Sequence, residues 1–257
     1  MTRVTHFDKQ RAMSVILQAQ NLKKYFNNFC AVDAINVEIQ SGECFGFLGP
    51  NGAGKTTTIK MIYGALAPTS GSLHLFGLPL GDHKREIKKR IGVVPQKDIL
   101  EESLSAKDNL KIHGKHYGFD KKTIAEKSET LLKLFQLSNR SEEPIFRFSG
   151  GMKRRLSIVK GLLNDPELLL LDEPTTGLDP QSRHLMWDKL REIKKSGKTI
   201  LLTTHYMQEA ELLCDRIVII DHGKIIESGV PSALIQKHGG QNLEEVFLKL
   251  TGRELRD

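Results

Sequence analysis

The chain has 257 residues, enough for one large domain or for a core domain with a subdomain. Hydrophobic residues make up 39% and charged residues 27%, which is typical of a globular protein and excludes a disordered one. No apolar run approaches the ~20 residues that cross a bilayer, so a membrane-spanning helix is also excluded. The net charge of +7 would suit nucleic acid, but basic residues are scattered among acidic ones, and no nucleic-acid partner is expected.

The cysteines and the first residues indicate a reduced, cytosolic protein. Cys30, Cys44 and Cys214 are odd in number and show no CxxC spacing, so reduced thiols are expected rather than a metal site or disulfides. Residues 1–13 mix charged and polar side chains and lack the apolar region of a secretion signal. We expect them to form a mobile lead-in, with Met13 as an alternative start.

In chain order, the first hundred residues predict strands separated by two helices. Residues 15–39 are predicted to be strands around a turn, because Ile35, Val37 and Ile39 alternate with polar residues as in a half-buried antiparallel strand. The elements predicted next are a strand over 43–48, a helix over 56–66 ended by Pro68 and Gly71, a strand over 72–76, a helix over 84–90 and a strand over 91–94.

The rest of the chain predicts a helical segment and then alternating strands and helices. Between about residues 100 and 165 the sequence is mostly helical. The later alternation favours a parallel sheet with helical crossovers. A closing helix should begin after Asn242 and end at Gly252. The clearest elements are helices over 123–134, 152–163, 181–196 and 207–213, and strands over 168–171, 199–203, 217–220 and 224–227.

Residues 49–56 match the phosphate-loop pattern GxxxxGK[ST] in full, with a predicted strand before them and a helix after them. Glycines let backbone N–H groups converge on a β-phosphate, and the helix N-terminus adds partial positive charge. Lys55 would reach the β- and γ-phosphates, Thr56 would ligate magnesium, and Thr57 would meet the α-phosphate. The predicted nucleotide-binding residues of this loop are Gly49, Pro50, Asn51, Gly52, Ala53, Gly54, Lys55, Thr56 and Thr57.

Two carboxylates follow the apolar strand at residues 168–171. Asp172 would be held beside the phosphate loop and would orient magnesium, directly or through water. Glu173, one residue on, is placed to polarise the attacking water. A hydrophobic run that ends in Asp-Glu is common by itself, but together with the phosphate loop it predicts a site of nucleotide hydrolysis.

These two motifs and the loop Ser149-Gly150-Gly151 resemble the nucleotide-binding subunit of an ATP-binding-cassette (ABC) transporter, over residues 15–229. The implied fold is α/β: a P-loop NTPase core with a mostly parallel sheet, an N-terminal antiparallel β subdomain and an inserted helical subdomain at about 100–165. We expect the nucleotide-binding domain to span 14–229 and a short helical tail to span 230–257. The resemblance implies an ATPase that uses ATP and Mg²⁺.

The resemblance also implies roles for residues outside the phosphate loop. Gln96 would take part in catalysis and link the magnesium site to the helical subdomain. His205, as the switch histidine, would act in catalysis through the γ-phosphate. Asp179 would bind across a dimer interface. Tyr25 would stack on adenine, and Phe26 is the nearest competitor for that role.

In this family two such domains meet head to tail around two ATP molecules. Ser149, Gly150 and Gly151 would then face the γ-phosphate that is bound by the partner's Lys55. The expected partners are a second nucleotide-binding domain, in a homodimer or a pseudo-symmetric heterodimer, and separate transmembrane permease subunits that contact the segment 100–147. The protein would therefore lie at the cytoplasmic face of the cell membrane.

Several features favour an exporter within this family. Met152 replaces the more widespread glutamine, which is typical of the branch associated with efflux of drugs, lipid-linked sugars or nodulation signals. The tail from Asn242 onwards resembles such exporters, although the segment before it, residues 238–241, is shorter than in relatives. Lys55 and Ser149 lie too close in sequence to enclose the long coiled coil of chromosome-maintenance ATPases. The alternative is a soluble ABC ATPase that remodels a ribosome, nucleic acid or another protein.

Overall fold

The computed structural model describes residues 14–252, and the expected lead-in at residues 1–13 lies outside the described residues. The strands are β1 (Val15–Phe26), β2 (Phe29–Gln40), β3 (Cys44–Leu48), β4 (Ser70–Leu75), β5 (Leu78–Pro79), β6 (Ile91–Val94), β7 (Leu168–Asp172), β8 (Thr199–Thr204), β9 (Arg216–Asp221) and β10 (Lys224–Gly229). The α-helices are α1 (Lys55–Ile62), α2 (Lys84–Arg90), α3 (Ala106–His116), α4 (Lys121–Leu134), α5 (Gly150–Leu162), α6 (Pro180–Lys195), α7 (Met207–Leu213), α8 (Pro231–Lys237) and α9 (Leu243–Thr251).

An antiparallel sheet of order β2-β1-β4-β5 forms the N-terminal part of the described chain. β1 and β2 make the predicted hairpin, with Leu22 opposite Ile35 and Phe26 opposite Phe29. Ile35, Val37 and Ile39 are buried, as their alternation predicts, because side chains on a strand point to opposite faces in turn. This confirms the antiparallel β part of the expected fold.

The second sheet has the order β10-β9-β3-β8-β7-β6, and all its pairs are parallel except the β9–β10 hairpin. The predicted parallel sheet with helical crossovers is therefore confirmed. The carboxyl ends of β3, β6, β7 and β8 meet at one edge of this sheet. Ligands of open α/β sheets bind at that edge, so this topology brings four separate loops together.

The six-stranded sheet is the middle layer of the molecule. On β7, Leu168 and Leu170 join the core beneath the antiparallel sheet, which also includes α1 and α2. Leu169 and Leu171 join the core on the other face, which includes residues of α3 to α9. All four side chains are buried because a parallel sheet is covered on both faces. The continuous apolar run in the sequence reflects this burial on two sides.

The helical segment consists of α3, α4 and α5, joined by the 3₁₀ helices Ser138–Arg140 and Ile145–Arg147. On α5, Leu156 and Val159 are buried and Met152 packs against the same core, as the helical spacing predicts. Within residues 14–252, no helix is long and apolar enough to cross a bilayer. Cys30, Cys44 and Cys214 are free thiols, as expected.

Helix ends show where local signals act. α1 stops at Ile62, before the predicted end at 66, because Gly64 adopts a left-handed φ of 71° and closes the helix C-terminus. α8 lies within the expected helical tail but was not predicted as a separate helix, although Pro231 occupies its first turn, a favoured position. α9 begins as predicted, since the Asn242 side chain accepts a hydrogen bond from the N–H of Glu245.

Candidate active site

The phosphate loop connects β3 to α1 at the carboxyl edge of the parallel sheet. Gly54 has a φ of 104°, and a Cβ there would lie 2.5 Å from the Ala31 carbonyl oxygen, so the loop requires glycine at this position. The loop borders a cavity of about 340 Å³. The cavity is lined by Phe26, Phe29, Ala31, Asn51, Gly52, Gly54, Lys55, Thr56, Thr57, Gln96 and Glu173.

The ammonium group of Lys55 lies at the base of this cavity. Lys55 is only 4% exposed, and its Nζ donates to the carbonyl oxygens of Gly49 at 2.8 Å and Pro50 at 3.1 Å. Nζ also lies 3.4 Å from Oε1 of Glu173. Burial lowers the pKa of Lys55, and the charges of Glu173 and Asp172 oppose that effect. Contacts within the protein thus hold the lysine in place.

Asp172 is buried at the end of β7, next to the first turn of α1. Thr56 Oγ1 donates to Asp172 Oδ1 at 3.1 Å, and Thr203 Oγ1 donates to the same oxygen at 2.6 Å. Thr203, on β8, has no recognisable motif in the sequence. Its role follows only from the pairing of β7 with β8, in which Asp172 stands opposite Thr203.

Glu173 occupies the centre of the site in a left-handed backbone conformation, with a φ of 47°. This conformation is uncommon for a residue with a side chain and costs roughly 1–3 kcal/mol. The backbone N–H of Glu173 donates to the Thr203 carbonyl at 3.1 Å and to Thr203 Oγ1 at 3.0 Å. These contacts hold the strained turn and direct the carboxylate into the cavity.

The carboxylate of Glu173 touches residues from three other loops. Gln96 Nε2 donates to its Oε2 at 3.0 Å, and Lys55 and His205 approach its Oε1 at 3.4 and 3.5 Å. Burial by itself would raise the pKa of Glu173, but His205 and Lys55 outweigh burial and lower the pKa to about 2. Glu173 is therefore a stable carboxylate in this arrangement of side chains.

His205 follows β8 and is mostly buried. Its Nδ1 is 3.5 Å from Glu173 Oε1 and has no hydrogen-bond partner within the described chain. This ring nitrogen therefore faces the Glu173 carboxylate without a well-formed hydrogen bond, and His205 is not among the residues that line the cavity. The structure thus brings the predicted residues Lys55, Gln96 and His205 around one carboxylate.

A second group of predicted residues lies outside the cavity. Ser149, Gly150 and Asp179 are exposed, and they mark the N-termini of α5 and α6. The two helix starts are adjacent, since a Cβ on Gly151 would lie 2.8 Å from Ser182 Oγ. The polar ends of both helices therefore point to the surface rather than into the chain's own site.

The predicted adenine contact is the least supported part of the site. Phe26 and Phe29 line the cavity, but Tyr25, which is partly exposed, does not. Tyr25 stands opposite Cys30 in the hairpin, whereas Phe26 stands opposite Phe29. Tyr25 stays a prediction, and Phe26, the alternative from the sequence, is better placed. Phe29 was missed because its position depends on the hairpin register.

A phosphate loop facing an acidic strand end defines a P-loop nucleotide hydrolase. A family model described as ABC transporter matches residues 32–176. Nod factor export ATP-binding protein I of Cupriavidus metallidurans is 46% identical over 235 residues, covering 91% of this chain and 78% of that protein. The protein of the same name from Ralstonia nicotianae is 45% identical, covering 90% and 72%.

A solved structure points to the same family. The structure described as the ATP binding subunit of an ABC transporter superposes with a TM-score of 0.82 at 31% identity, covering 92% of this chain and 99% of that chain. The chain belongs to the ABC transporter family. It is the ATP-binding subunit of a transporter, and its enzymatic activity is ATP hydrolysis coupled to transport.

Proposed function

We propose that this subunit powers an exporter by closing as a dimer around two ATP molecules and opening after hydrolysis. The observation that carries the hydrolytic part is the contact of one carboxylate, Glu173, with Lys55, Gln96 and His205. The name of the relatives, Nod factor export ATP-binding protein I, supports export as the direction of transport. The same movement would drive separate permease subunits at the cytoplasmic face of the membrane.

ATP would bind with its phosphates over the phosphate loop, where backbone N–H groups at the start of α1 attract anions. Lys55 already points into the cavity, so the terminal phosphate can replace Glu173 as the counter-charge of its ammonium group. The carboxylate of Glu173 is then released to accept a hydrogen bond from the attacking water. The phosphate's negative charge would raise the pKa of Glu173 and make it a better base.

Gln96 and His205 would complete the hydrolytic centre. The Gln96 amide orients the Glu173 carboxylate through the bond from Nε2 to Oε2. The imidazole of His205, which lies beside the Glu173 carboxylate, would contact the γ-phosphate. Both residues come from loops at the carboxyl edge, after β6 and β8, and both contact Glu173. Each can therefore respond to the presence of the terminal phosphate.

The residues beside the phosphate loop fit magnesium. Mg²⁺ prefers oxygen ligands and is commonly bound by one or two carboxylates together with substrate phosphates. The hydroxyl of Thr56 and the carboxylate of Asp172 are 3.1 Å apart and would hold the ion, directly or through water. The predicted contribution of Gln96 would come from its amide oxygen. When bound, the ion would neutralise developing charge on the phosphates.

The exposed ends of α5 and α6 support a dimer. Ser149 and Gly150 present a helix N-terminus with little side-chain bulk, which suits an anion brought by another molecule. Asp179 is exposed beside them and caps α6 through the N–H of Ser182. We infer that these residues meet the ATP bound to a second nucleotide-binding domain, which is either a second copy of this chain or a related subunit.

An apolar surface next to Gln96 supports contact with a permease. Ile99 and Phe146 are 68% and 60% exposed. They lie on neighbouring segments, because the N–H of Phe146 donates to the carbonyl of Glu102 at 3.0 Å. Exposed large apolar side chains of this kind indicate an interaction surface. Its position would transmit movement between the permease and Gln96.

The experiment is an affinity purification from detergent-solubilised membranes with a tagged chain. We expect a protein with several hydrophobic spans to co-purify and ATPase activity to depend on it. The double variant Ile99→Asp/Phe146→Asp should lose that protein and keep ATP binding. Val230→Asp, which changes an exposed apolar residue elsewhere, is the matched control. Recovery of ribosomal, nucleic-acid or soluble partners instead would overturn the transport proposal.

A further inference from the structure

Arg154 lies on α5, five residues beyond Ser149, and is almost completely buried. A buried guanidinium needs partners for its five N–H donors, and here they come from two separate segments of the chain. The acceptors are the carbonyl oxygens of Pro174 at 2.8 Å, Pro95 at 2.6 Å, Gln96 at 3.4 Å, Asp172 at 2.8 Å and Glu173 at 3.0 Å, and Asp98 Oδ1 at 3.1 Å.

These acceptors surround the two residues that meet at the hydrolytic centre. Residues 95–98 carry Gln96, and residues 172–174 carry Glu173, whose side chains are joined by a hydrogen bond of 3.0 Å. Arg154 is hydrogen-bonded to the backbone of both segments that carry these two side chains. Arg154 also donates to the carbonyl oxygens of Asp172 and Glu173, the two peptide groups that flank the left-handed φ of Glu173. The side chain therefore stabilises a geometry that would otherwise relax.

The position of Arg154 on α5 adds a second consequence. Ser149 is the N-cap of this helix, and its side chain accepts a hydrogen bond from the N–H of Met152. Ser149 and Arg154 therefore belong to one rigid element. With a rise of about 1.5 Å per residue, they are less than two turns apart. A displacement of the helix start would move the guanidinium and both segments bonded to it.

We propose that Arg154 is a positioning residue that holds Gln96 and Glu173 in register and couples them to α5. This coupling rests on the proposed dimer. When Ser149 contacts the ATP bound by the partner, the resulting movement of α5 is transmitted to the hydrolytic centre of the same chain. The two ATP sites would thereby influence each other through one side chain in each subunit. Arginine is required, since the planar fork spans both segments and a lysine ammonium cannot.

Arg154→Lys tests the proposal, with Arg155→Lys as the matched control on the same helix. Arg155 instead donates to the carbonyl oxygens of Phe135 and Gly151, which belong to neither segment. For Arg154→Lys we expect kcat to fall at least ~10-fold while the dissociation constant for ATP changes little, because misplaced groups slow chemistry more than binding. The Hill coefficient for ATP should fall towards one. Arg155→Lys should keep both values.

A merely structural role would lower the melting temperature without changing kcat of the folded fraction or the Hill coefficient. If Arg154→Lys does not fold, Asp98→Asn removes the carboxylate that anchors the guanidinium to residues 95–98, and kcat should again fall more than ATP affinity. Wild-type kcat and cooperativity in the folded variant would overturn the proposal. Absence of an ATP-dependent dimer in Glu173→Gln would instead overturn the proposed dimer.

Discussion

Nζ of Lys55 lies 3.4 Å from Oε1 of Glu173, so the lysine that should bind phosphate and the carboxylate that should activate water form an ion pair. Each is the nearest opposite charge of the other. The arrival of a γ-phosphate changes this pairing, since the phosphate competes for Lys55. We therefore expect ATP binding to release Glu173 from Lys55 for its proposed role in hydrolysis.

Glu173→Gln should retain ATP binding, lose hydrolysis and accumulate as a closed dimer. The amide removes the negative charge opposite Lys55, so nucleotide affinity should be equal to or higher than that of the wild type. Phosphate release and size-exclusion chromatography with ATP measure the two effects. Turnover near the wild-type rate would remove Glu173 from the catalytic role.

Lys55→Ala should abolish stabilisation by nucleotide. A ligand present at 100 times its dissociation constant stabilises the folded state by about 2.7 kcal/mol, and the variant should lose most of this because the phosphates lose their cation. Thermal melting with and without ATP gives the measurement. Lys60→Ala, on the exposed side of α1, is the control and should keep the shift. An undiminished shift in Lys55→Ala would contradict the phosphate role.

Ser149→Arg should spare ATP binding by the single subunit and prevent dimer closure. The large cation would occupy the space meant for the partner's nucleotide, and loss of the helix cap costs about 1 kcal/mol of stability. Ser138→Arg, at another exposed serine, should leave the dimer intact. The Glu173→Gln background makes dimers measurable, and dimers that persist with Ser149→Arg at normal ATP concentrations would refute the cross-interface role.

Alanine substitution separates the three aromatic candidates for adenine. Phe26→Ala should weaken ATP binding about fivefold, corresponding to roughly 1 kcal/mol of stacking, because Phe26 lines the cavity. Phe29→Ala tests whether Phe29, which pairs with Phe26 in the hairpin, also contributes to ATP binding. Tyr25→Ala should have a smaller effect. Fluorescent-nucleotide titration decides, and a larger loss for Tyr25→Ala than for Phe26→Ala would restore the tyrosine to this role.

The low pKa of Glu173 makes the stability of the nucleotide-free protein depend on pH. Because the folded-state pKa, about 2, lies below the ordinary value of 4.5, the ionised carboxylate stabilises the fold above pH 4.5. That contribution is lost as the pH falls from 4.5 towards 2. Urea unfolding should show the advantage of the wild type over Glu173→Gln shrinking at acid pH. A constant difference from pH 6 to pH 3.5 would contradict this assignment, and Glu129→Gln is an exposed control.

Motifs formed by consecutive residues could be predicted from the sequence because their chemistry is local. The phosphate loop needs Gly54, Lys55 and Thr56 next to one another, and Asp172 and Glu173 end an apolar run that is typical of a buried parallel strand. The helix at 84–90 and the strand at 91–94 agree with the prediction residue for residue. In such segments periodicity, caps and breakers act within a few residues.

Contacts between distant segments were decided only by the tertiary structure. Arg154 stands in a basic run that resembles a solvated surface, yet it is buried against residues 95–98 and 172–174. Thr203 joins Asp172 because β8 pairs with β7, and the Phe26–Phe29 pair faces the cavity because of the hairpin register. Sequence patterns indicate most of the apolar positions that are buried. Strand order and register decide which buried groups meet, because those contacts join residues far apart along the chain.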